Sequence, residues 1–347
     1  MIDWGKDIIH LDGFGGCAGF WHGLKKSGIN ITTHYYSEID KAAIAVAHYQ
    51  DKNLINVGSI TNVVKSGIKR PDIFTFGSPC QGFSGAGKNE GLGHSGSVLI
   101  KEAIKVIAHF KPPVFIWENV KGVITSTHRE DFWAVIQAFA NIGGYRLEWQ
   151  LLNTDWFLPQ NRERIYLVGH LAGASEPKVF PIRENDFLAN SPQQEEASRR
   201  GWVQIHPNRN ASAINKRLAK MGVADNYIKI SSGTSTGYEL AQHGDGIRLD
   251  HLTNLTNGKN TGRGRVQKGK AQTLDTQSKH GVLLQEKIRR LTEVECERLQ
   301  GFPDDWTKYG IVKGQVKETS ATQRYSMMGN AISIPLVEMI GEKLQAR

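Results

Sequence analysis

From Lys6 to about Gly169 short apolar runs alternate with amphipathic stretches, and that alternation confines the chain to few architectures. Strand, helix and strand in succession pack as a parallel α/β sheet, because each helix must lay its apolar face back on the strands. The runs Ile8–Leu11, Thr33–Ser37, Ile73–Phe76, Val114–Trp117, Leu147–Leu151 and Ile165–Val168 read as the strands. Between the third and fourth, Leu99, Ala103, Val106, Ile107 and Phe110 recur at helical spacing, with Ser97 placed as the N-cap. Beyond Gly169 the texture turns polar and rich in Gly, Ser and Asn, as in SSGTSTGYE and TNLTNGKNTGRGR, and no long periodic element is predicted. Helical periodicity returns near Leu291, and Ala331–Leu344 reads as a final helix that rejoins the first domain. The expected division is an α/β domain over 1–175, a loop-rich domain over 176–318 and a returning helical segment over 319–347.

Charge and cysteine usage narrow the function classes. No apolar run reaches the roughly 20 residues that a membrane span needs, and the first residues lack the pattern of a secretory leader, so a cytoplasmic protein without a membrane partner is expected. The 3 cysteines, Cys17, Cys80 and Cys296, are far apart and form no CxxC pair, which argues against a disulfide framework or a zinc cluster; no metal is expected. Lys and Arg number 43 against 34 Asp and Glu, a formal charge of +9. Residues 171 to 287 hold 17 basic and 11 acidic side chains, so about two thirds of the excess lies in the loop-rich segment, where a polyanion is expected to bind. A merely solvated basic surface would give the same count.

The residues after the strands carry the chemistry. DGFGGCAG follows the first strand and sets Gly13, Gly15, Gly16 and Gly19 where a strand turns into a helix, which lets backbone N–H groups approach a nucleotide-like ligand. Glu38 ends the next strand, where a carboxylate accepts hydrogen bonds from ribose hydroxyls; the alternative is a charge interacting with the following helix dipole. Pro79-Cys80 ends the third strand, at the edge where open α/β sheets bind ligands, and the glycines after it suit a mobile lid. Gly82 to Asn89 reads GFSGAGKN and so approaches a phosphate-binding P-loop, but Asn89 replaces the magnesium-binding hydroxyl. Glu118-Asn119-Val120 ends the fourth strand on the same edge, so a cysteine and a carboxylate can meet as nucleophile and acid. A buried Cys and a capping Glu would be the structural alternative.

These pieces, in this order, resemble the bacterial and phage C5-cytosine-specific DNA methyltransferase family. The likeness covers roughly 8 to 170 and 288 to 335. It rests on Pro79-Cys80-Gln81, on Glu118-Asn119-Val120 and on Gln160-Asn161-Arg162-Glu163-Arg164. Arg290-Leu291-Thr292 then leads through Glu295 and Arg298 to Leu299-Gln300-Gly301-Phe302-Pro303, and Gly329-Asn330-Ala331 comes last. Ser97, Leu99 and Glu102, and Asn153 with Pro159, also fit. The departures are Leu11-Asp12 before the glycine turn, Ser59 in Gly58-Ser59-Ile60 where the family places an Asp, and Gly96 for a usual Arg.

The resemblance implies a Rossmann-like S-adenosylmethionine-dependent methyltransferase sheet with a second, smaller, loop-rich target-recognition domain. It implies methylation at C5 of a flipped-out cytosine in double-stranded DNA through a covalent Cys80 adduct. Glu118, Arg162 and Arg164 complete the expected catalytic set. Leu11, Gly13, Gly15, Glu38, Ile39, Ser59, Ile60, Pro79 and Asn330 are expected at the cofactor, and Gln81, Ser84, Arg263 and Arg265 at the DNA. A monomer is expected, with a cognate restriction endonuclease as a companion where the enzyme belongs to a restriction-modification system. An RNA cytosine methyltransferase usually lacks so long a recognition segment, and a silent DNA-binding relative would have lost Cys80 or Glu118.

Overall fold

The computed structural model describes residues 2–79, 95–125, 129–173, 178–184, 186, 228–231, 238–249, 266–277, 279–284 and 287–346. Its first half is β1 (Ile8–Gly13), α1 (Gly19–Lys26), β2 (Ile31–Ser37), α2 (Lys41–Gln50), β3 (Ile55–Asn56), β4 (Ile73–Gly77), α3 (Ser95–Phe110), β5 (Val114–Val120), α4 (Arg129–Asn141), β6 (Tyr145–Asn153), β7 (Gln160–Asn161) and β8 (Glu163–Leu171). Seven of these strands form one sheet in the order β3-β2-β1-β4-β5-β8-β6. β1 through β5 run parallel, while β8 is antiparallel to both β5 and β6. The chain steps outward from β1 to β3 and then crosses back to β4, so β1 and β4 flank the point where strand order reverses, the place where such sheets bind ligands.

Helices cover both faces because the central strands are apolar on both. Along β5, Val114 and Ile116 enter one core with Trp21, Leu24, Val46 and Leu336, while Phe115 and Trp117 enter the other with Val106, Ile107, Phe132 and Phe139. α3 buries Ala103, Val106 and Ile107, the stripe expected from its spacing, but it starts at Ser95, so Ser97 lies inside its first turn and is not the cap.

The second half supplies β9 (Ile228–Ser231), β10 (Tyr238–Ala241), β11 (Gly246–Arg248), β12 (Val266–Gln267), β13 (Ala271–Gln272), β14 (His280–Leu284), β15 (Lys287–Arg290), α5 (Glu293–Gln300), β16 (Tyr309–Val312), β17 (Gln315–Glu318), α6 (Ala321–Asn330) and α7 (Ile334–Gln345). A four-stranded sheet, β12-β11-β14-β15, and the β9–β10 hairpin share a small core of Ile230, Ala241, Ile247 and Leu283. β13 pairs in parallel with β7, and Thr273 Oγ1 donates to the Asn161 carbonyl at 2.7 Å, so this segment is stitched to the chain just before Arg162.

The motif around Leu291 turns out to be helix-cap chemistry. Thr292 and Glu295 form a capping box on α5, and Arg289 grips Glu295 with two N–H groups at 2.8 and 2.6 Å. Leu291, Cys296, Leu299, Phe302 and Trp306 then enter the main core. The expected final helix, Ala331–Leu344, is α7, which starts at Ile334 with Pro335 in its first turn; Ala331–Ser333 is extended, and a further helix, α6, precedes it and ends at Asn330. α1 and α7 pack so closely that a Cβ on Gly23 would lie 2.6 Å from Val337 Cβ.

Candidate active site

A cavity of about 420 Å³ opens at the carboxyl ends of β1, β2, β4 and β5. That volume falls within the range of small-molecule sites. The C-terminal end of α6 closes one side with Ser326, Met327, Gly329 and Asn330.

The β1–α1 turn shapes the first wall. Phe14, Gly16 and Ala18 all have positive φ, at 55, 54 and 63°, so the turn coils left-handed and exposes backbone. Gly15 is required at its place because a Cβ there would fall 2.4 Å from the Tyr36 ring, and the Tyr36 hydroxyl donates to the Gly16 carbonyl. Glu38 fixes the turn from β2: Oε2 accepts the Gly16 N–H at 3.1 Å, and Oε1 accepts those of Ile39 and Asp40 at 2.6 and 2.9 Å. Asp40, not Glu38, caps α2, accepting the Ala42 and Ala43 N–H groups at 2.8 and 2.9 Å. Glu38 is therefore a cavity-wall carboxylate held by the turn.

The next wall comes from Ser59 and Ile60. Ser37 Oγ donates to the Gly58 carbonyl at 2.8 Å, and Ser59 caps a short 3-10 helix, Ile60–Lys65. Ile60 is buried, whereas Ile39 is 74% exposed at the rim, an apolar surface offered to a planar group. Leu11 and Gly13, expected at the cofactor, are not lining residues: Leu11 is fully buried in the second core, and Gly13 backs onto Phe74 and Ile60.

The reactive end lies between β4 and β5. Gly77, Ser78 and Pro79 line it, and Ser78 Oγ accepts hydrogen bonds from Trp117 Nε1 and Asn119 Nδ2, each at 3.0 Å. Asn119 thereby ties the end of β5 to the segment that leads into Cys80. Glu118 stands beside Gly77 in the β4–β5 register, and a Cβ on Gly77 would lie 3.2 Å from Glu118 Oε2. From β8, Arg164 Nε reaches Glu118 Oε1 at 3.1 Å, with the two side chains 13 and 15% exposed. Arg162 lines the same cavity, but its guanidinium is buried and donates to the Gly329 and Ala331 carbonyls, the latter at 2.6 Å. It clamps the end of α6, which places Asn330.

Cys80, Gln81, Ser84, Arg263 and Arg265 lie outside the described residues. The structure brings Gly15, Glu38, Ile39, Ser59, Ile60, Pro79, Glu118, Arg162, Arg164 and Asn330 to one cavity. Sequence reasoning missed Phe14 and Asp40, which also line it; a residue flanked by turn glycines and an Asp one position before a helix were the available signals.

A switch-point cavity walled by a glycine turn and a strand-end carboxylate, with a second carboxylate held by arginine at its far end, defines a Rossmann-like methyltransferase. A crystal structure of a protein assigned as a DNA modification methyltransferase, encoded within an Escherichia coli prophage, has the same fold, with a TM-score of 0.57 at 16% identity over 97% of this chain and 98% of that one. Residues 9–346 match the C-5 cytosine-specific DNA methylase family, and the chain belongs to that family as a DNA cytosine-5-methyltransferase. Its relatives include the orphan methyltransferase M.SPRI of Bacillus phage SPR, 24% identical over 95% of this chain and 96% of the relative. The type II methyltransferase M.NlaX of Neisseria lactamica is 27% identical over 97% of this chain and 96% of the relative. M.MspI from Moraxella sp, also type II, is 26% identical over 98% of this chain and 71% of its own length.

Proposed function

We propose that this enzyme adds Cys80 to C6 of a cytosine turned out of double-stranded DNA and so activates C5 for methylation, with S-adenosylmethionine held in the switch-point cavity. The observation that carries this reading is the Arg164–Glu118 pair beside Gly77-Ser78-Pro79, the segment that runs directly into Cys80.

The cavity suits the cofactor. Glu38 faces it for ribose hydroxyls, Ile39 and Ile60 offer apolar surface to an adenine, and the Gly15–Gly16 turn and Asn330 flank the amino-acid end. S-adenosylmethionine supplies an electrophilic methyl group on a sulfonium. Everything else falls to the chain. C5 of an aromatic cytosine is a poor nucleophile, so the Cys80 thiolate forms a bond to C6 while Glu118 delivers a proton to N3, leaving C5 electron-rich. Arg164 fixes the Glu118 carboxyl against the base edge. After methylation the C5 proton leaves to a base, the electron pair re-forms the C5–C6 double bond, the thiolate departs, and N3 gives its proton back to Glu118.

A stacked cytosine cannot reach this cavity, so the base must be flipped out at a cost of a few kcal/mol. Target recognition is assigned to the segment from about 176 to about 290, with Arg263 and Arg265 at phosphates or guanine edges and Gln81 and Ser84 near the flipped base. Packing of Leu291, Cys296, Leu299, Phe302 and Trp306 in the main core supports a boundary near 290 in place of 318, although Val179, Phe180, Ile182, Ala271, Leu274 and Val282 of the segment reach the same core. The reading includes a monomer and, where a partner nuclease exists, protection of its sites. Methylating a DNA library and sequencing it for 5-methylcytosine tests it: wild type should mark one sequence context and Cys80→Ala none. Full activity in Cys80→Ala would overturn the covalent mechanism.

A further inference from the structure

Beneath the cofactor turn lies a buried polar cluster that the mechanism above does not use. It joins β1, β2 and β4 through His10, Asp12, His34 and Thr75, all nearly inaccessible to solvent. His10 stacks on His34 with ring centroids 5.4 Å apart, and Trp21 of α1 stacks on His34 at 5.6 Å. Asp12 sits directly under the turn: a Cβ on Gly15 would lie 3.1 Å from its carboxyl carbon.

The hydrogen bonds fix where the protons are. Thr75 has one hydroxyl proton and gives it to Asp12 Oδ1 at 3.2 Å, so His10 Nε2, 2.8 Å from Thr75 Oγ1, is the donor there. At the other end His34 Nδ1 lies 2.9 Å from Asp51 Oδ2. Burial pushes the Asp51 carboxyl up, but hydrogen bonds from His34 and the Asn53 N–H outweigh it and leave it below the usual range, so it is ionised and Nδ1 donates. Neutral His34 then sets a bare Nε2 4.0 Å from Asp12 Oδ2, facing it but beyond hydrogen-bond distance, and neither atom has a hydrogen-bond partner. An ionised Asp12 would set two acceptors against each other in the core; a proton on Oδ2 resolves the conflict.

We propose that Asp12 is a positioning residue for cofactor binding: protonated on Oδ2 and aimed at His34 Nε2, it supports the Gly15–Gly16 turn, and affinity falls when that proton leaves. Burial drives the Asp12 carboxyl well above its usual range against the opposing Thr75 hydrogen bond, with Glu38 adding repulsion and the Trp21 backbone N–H on α1 opposing it. Burial lowers His34 despite Asp51, with His48 of α2 and Lys25 of α1 acting in the same direction as burial, and burial and His34 together lower His10. Cys17 and Tyr36, pushed up chiefly by burial, also face the Asp12 charge. Ionised Asp12 would repel Glu38, the carboxylate that closes the turn on Gly16.

The inference rests on the cavity binding S-adenosylmethionine, and calorimetry of S-adenosylhomocysteine and S-adenosylmethionine across neutral and alkaline pH separates the two. Wild type should bind with constant affinity on the acid side and then weaken by about tenfold per pH unit as Asp12 ionises. In that range, buffers of different ionisation heat should report proton uptake on binding. Asp12→Asn keeps the shape and cannot ionise, so it should show the wild-type acid-side affinity at every pH. A flat wild-type profile, or a variant with the wild-type slope, overturns the role of Asp12 while leaving the cofactor reading standing. Absence of binding at every pH overturns both. The wild-type profile decides the matter even if Asp12→Asn fails to fold, and Asp12→Ser serves as a second neutral variant.

Discussion

Arg164 reaches across the antiparallel seam between β8 and β5 to place its Nε 3.1 Å from Glu118 Oε1. This contact joins a residue of the Gln160–Arg164 block to a strand-end carboxylate more than forty positions earlier, and it fixes that carboxylate at the mouth of the cavity.

Arg164→Ala should therefore lower kcat by roughly tenfold or more, the effect of taking its guanidinium partner from a largely buried carboxylate. Arg164→Lys, which keeps the charge without the planar fork, should fall between. Steady-state kinetics on a cognate duplex checks this, and wild-type turnover in Arg164→Ala would remove the residue from the site.

Gly329 packs the end of α6 against the Asp275–Thr276 backbone. A Cβ there would lie 2.4 Å from the Asp275 carbonyl carbon and 2.5 Å from the Thr276 nitrogen, backbone atoms with no rotamer to yield. Gly329→Ala should lower stability by roughly 1–3 kcal/mol in urea titration. It should also depress methylation, because the Gly329 carbonyl accepts from Arg162. An unchanged midpoint would contradict this packing.

Much of this was legible in the sequence, for physical reasons that differ by element. β4 and β5 are buried on both faces over most of their length, so they appear as short apolar runs, as does β1 with two buried polar residues in it, whereas β2, ITTHYYS, is buried only over its second half. The direction of β8 was not legible, because an apolar run carries no sign of which neighbour it pairs with. α6 escaped notice since only Arg324, Tyr325, Met327 and Met328 of its residues are buried, though its capping box of Ser320 and Gln323 was available as a start signal. Glu118 could be named from its strand-end position; its arginine partner came only from the family likeness, since no spacing rule joins residues across a seam. The buried cluster of His10, Thr75 and His34 around Asp12 was invisible, because those three look like ordinary polar residues in strands. Asp12 alone stood out as a departure.

The buried Glu297–Arg324 pair should show strong coupling. Arg324 Nη2 donates to Glu297 Oε1 at 2.9 Å and Nε to Thr307 Oγ1 at 3.1 Å, locking α6 to α5 in the interior. Glu297→Ala should cost about 3 kcal/mol, the lower end for breaking a buried pair, because the guanidinium keeps only the more exposed Asp305 carboxylate, 3.3 Å away. Glu297→Leu with Arg324→Met should cost less than the two single changes together, which a double-mutant cycle measures; simple additivity would contradict the pairing.

Acid sensitivity has an identifiable source in His22. Burial, with Lys26 and Lys25 nearby, lowers its pKa to about 4, and its ring packs 4.3 Å from Trp306, whose indole donates to the Cys17 carbonyl in the cofactor turn. The folded value lies below the unfolded one of 6.5, so the unfolded chain binds the extra proton. The stability contributed by neutral His22 is present above the unfolded value and is lost as pH falls from there toward about 4. His22→Phe should flatten stability over that window in denaturant titrations; an unaltered slope would place the acid sensitivity elsewhere.

The central claim is the covalent Cys80 adduct, and DNA carrying 5-fluorocytosine at the target position tests it most directly. Fluorine cannot leave C5 as a cation, so after Cys80 has bonded to C6 and C5 has been methylated, elimination cannot follow. The expected result is a protein–DNA adduct that survives denaturing electrophoresis, forms only with S-adenosylmethionine and the cognate sequence, and maps to Cys80. Release of ordinary product, or an adduct on Cys17 or Cys296, would contradict it.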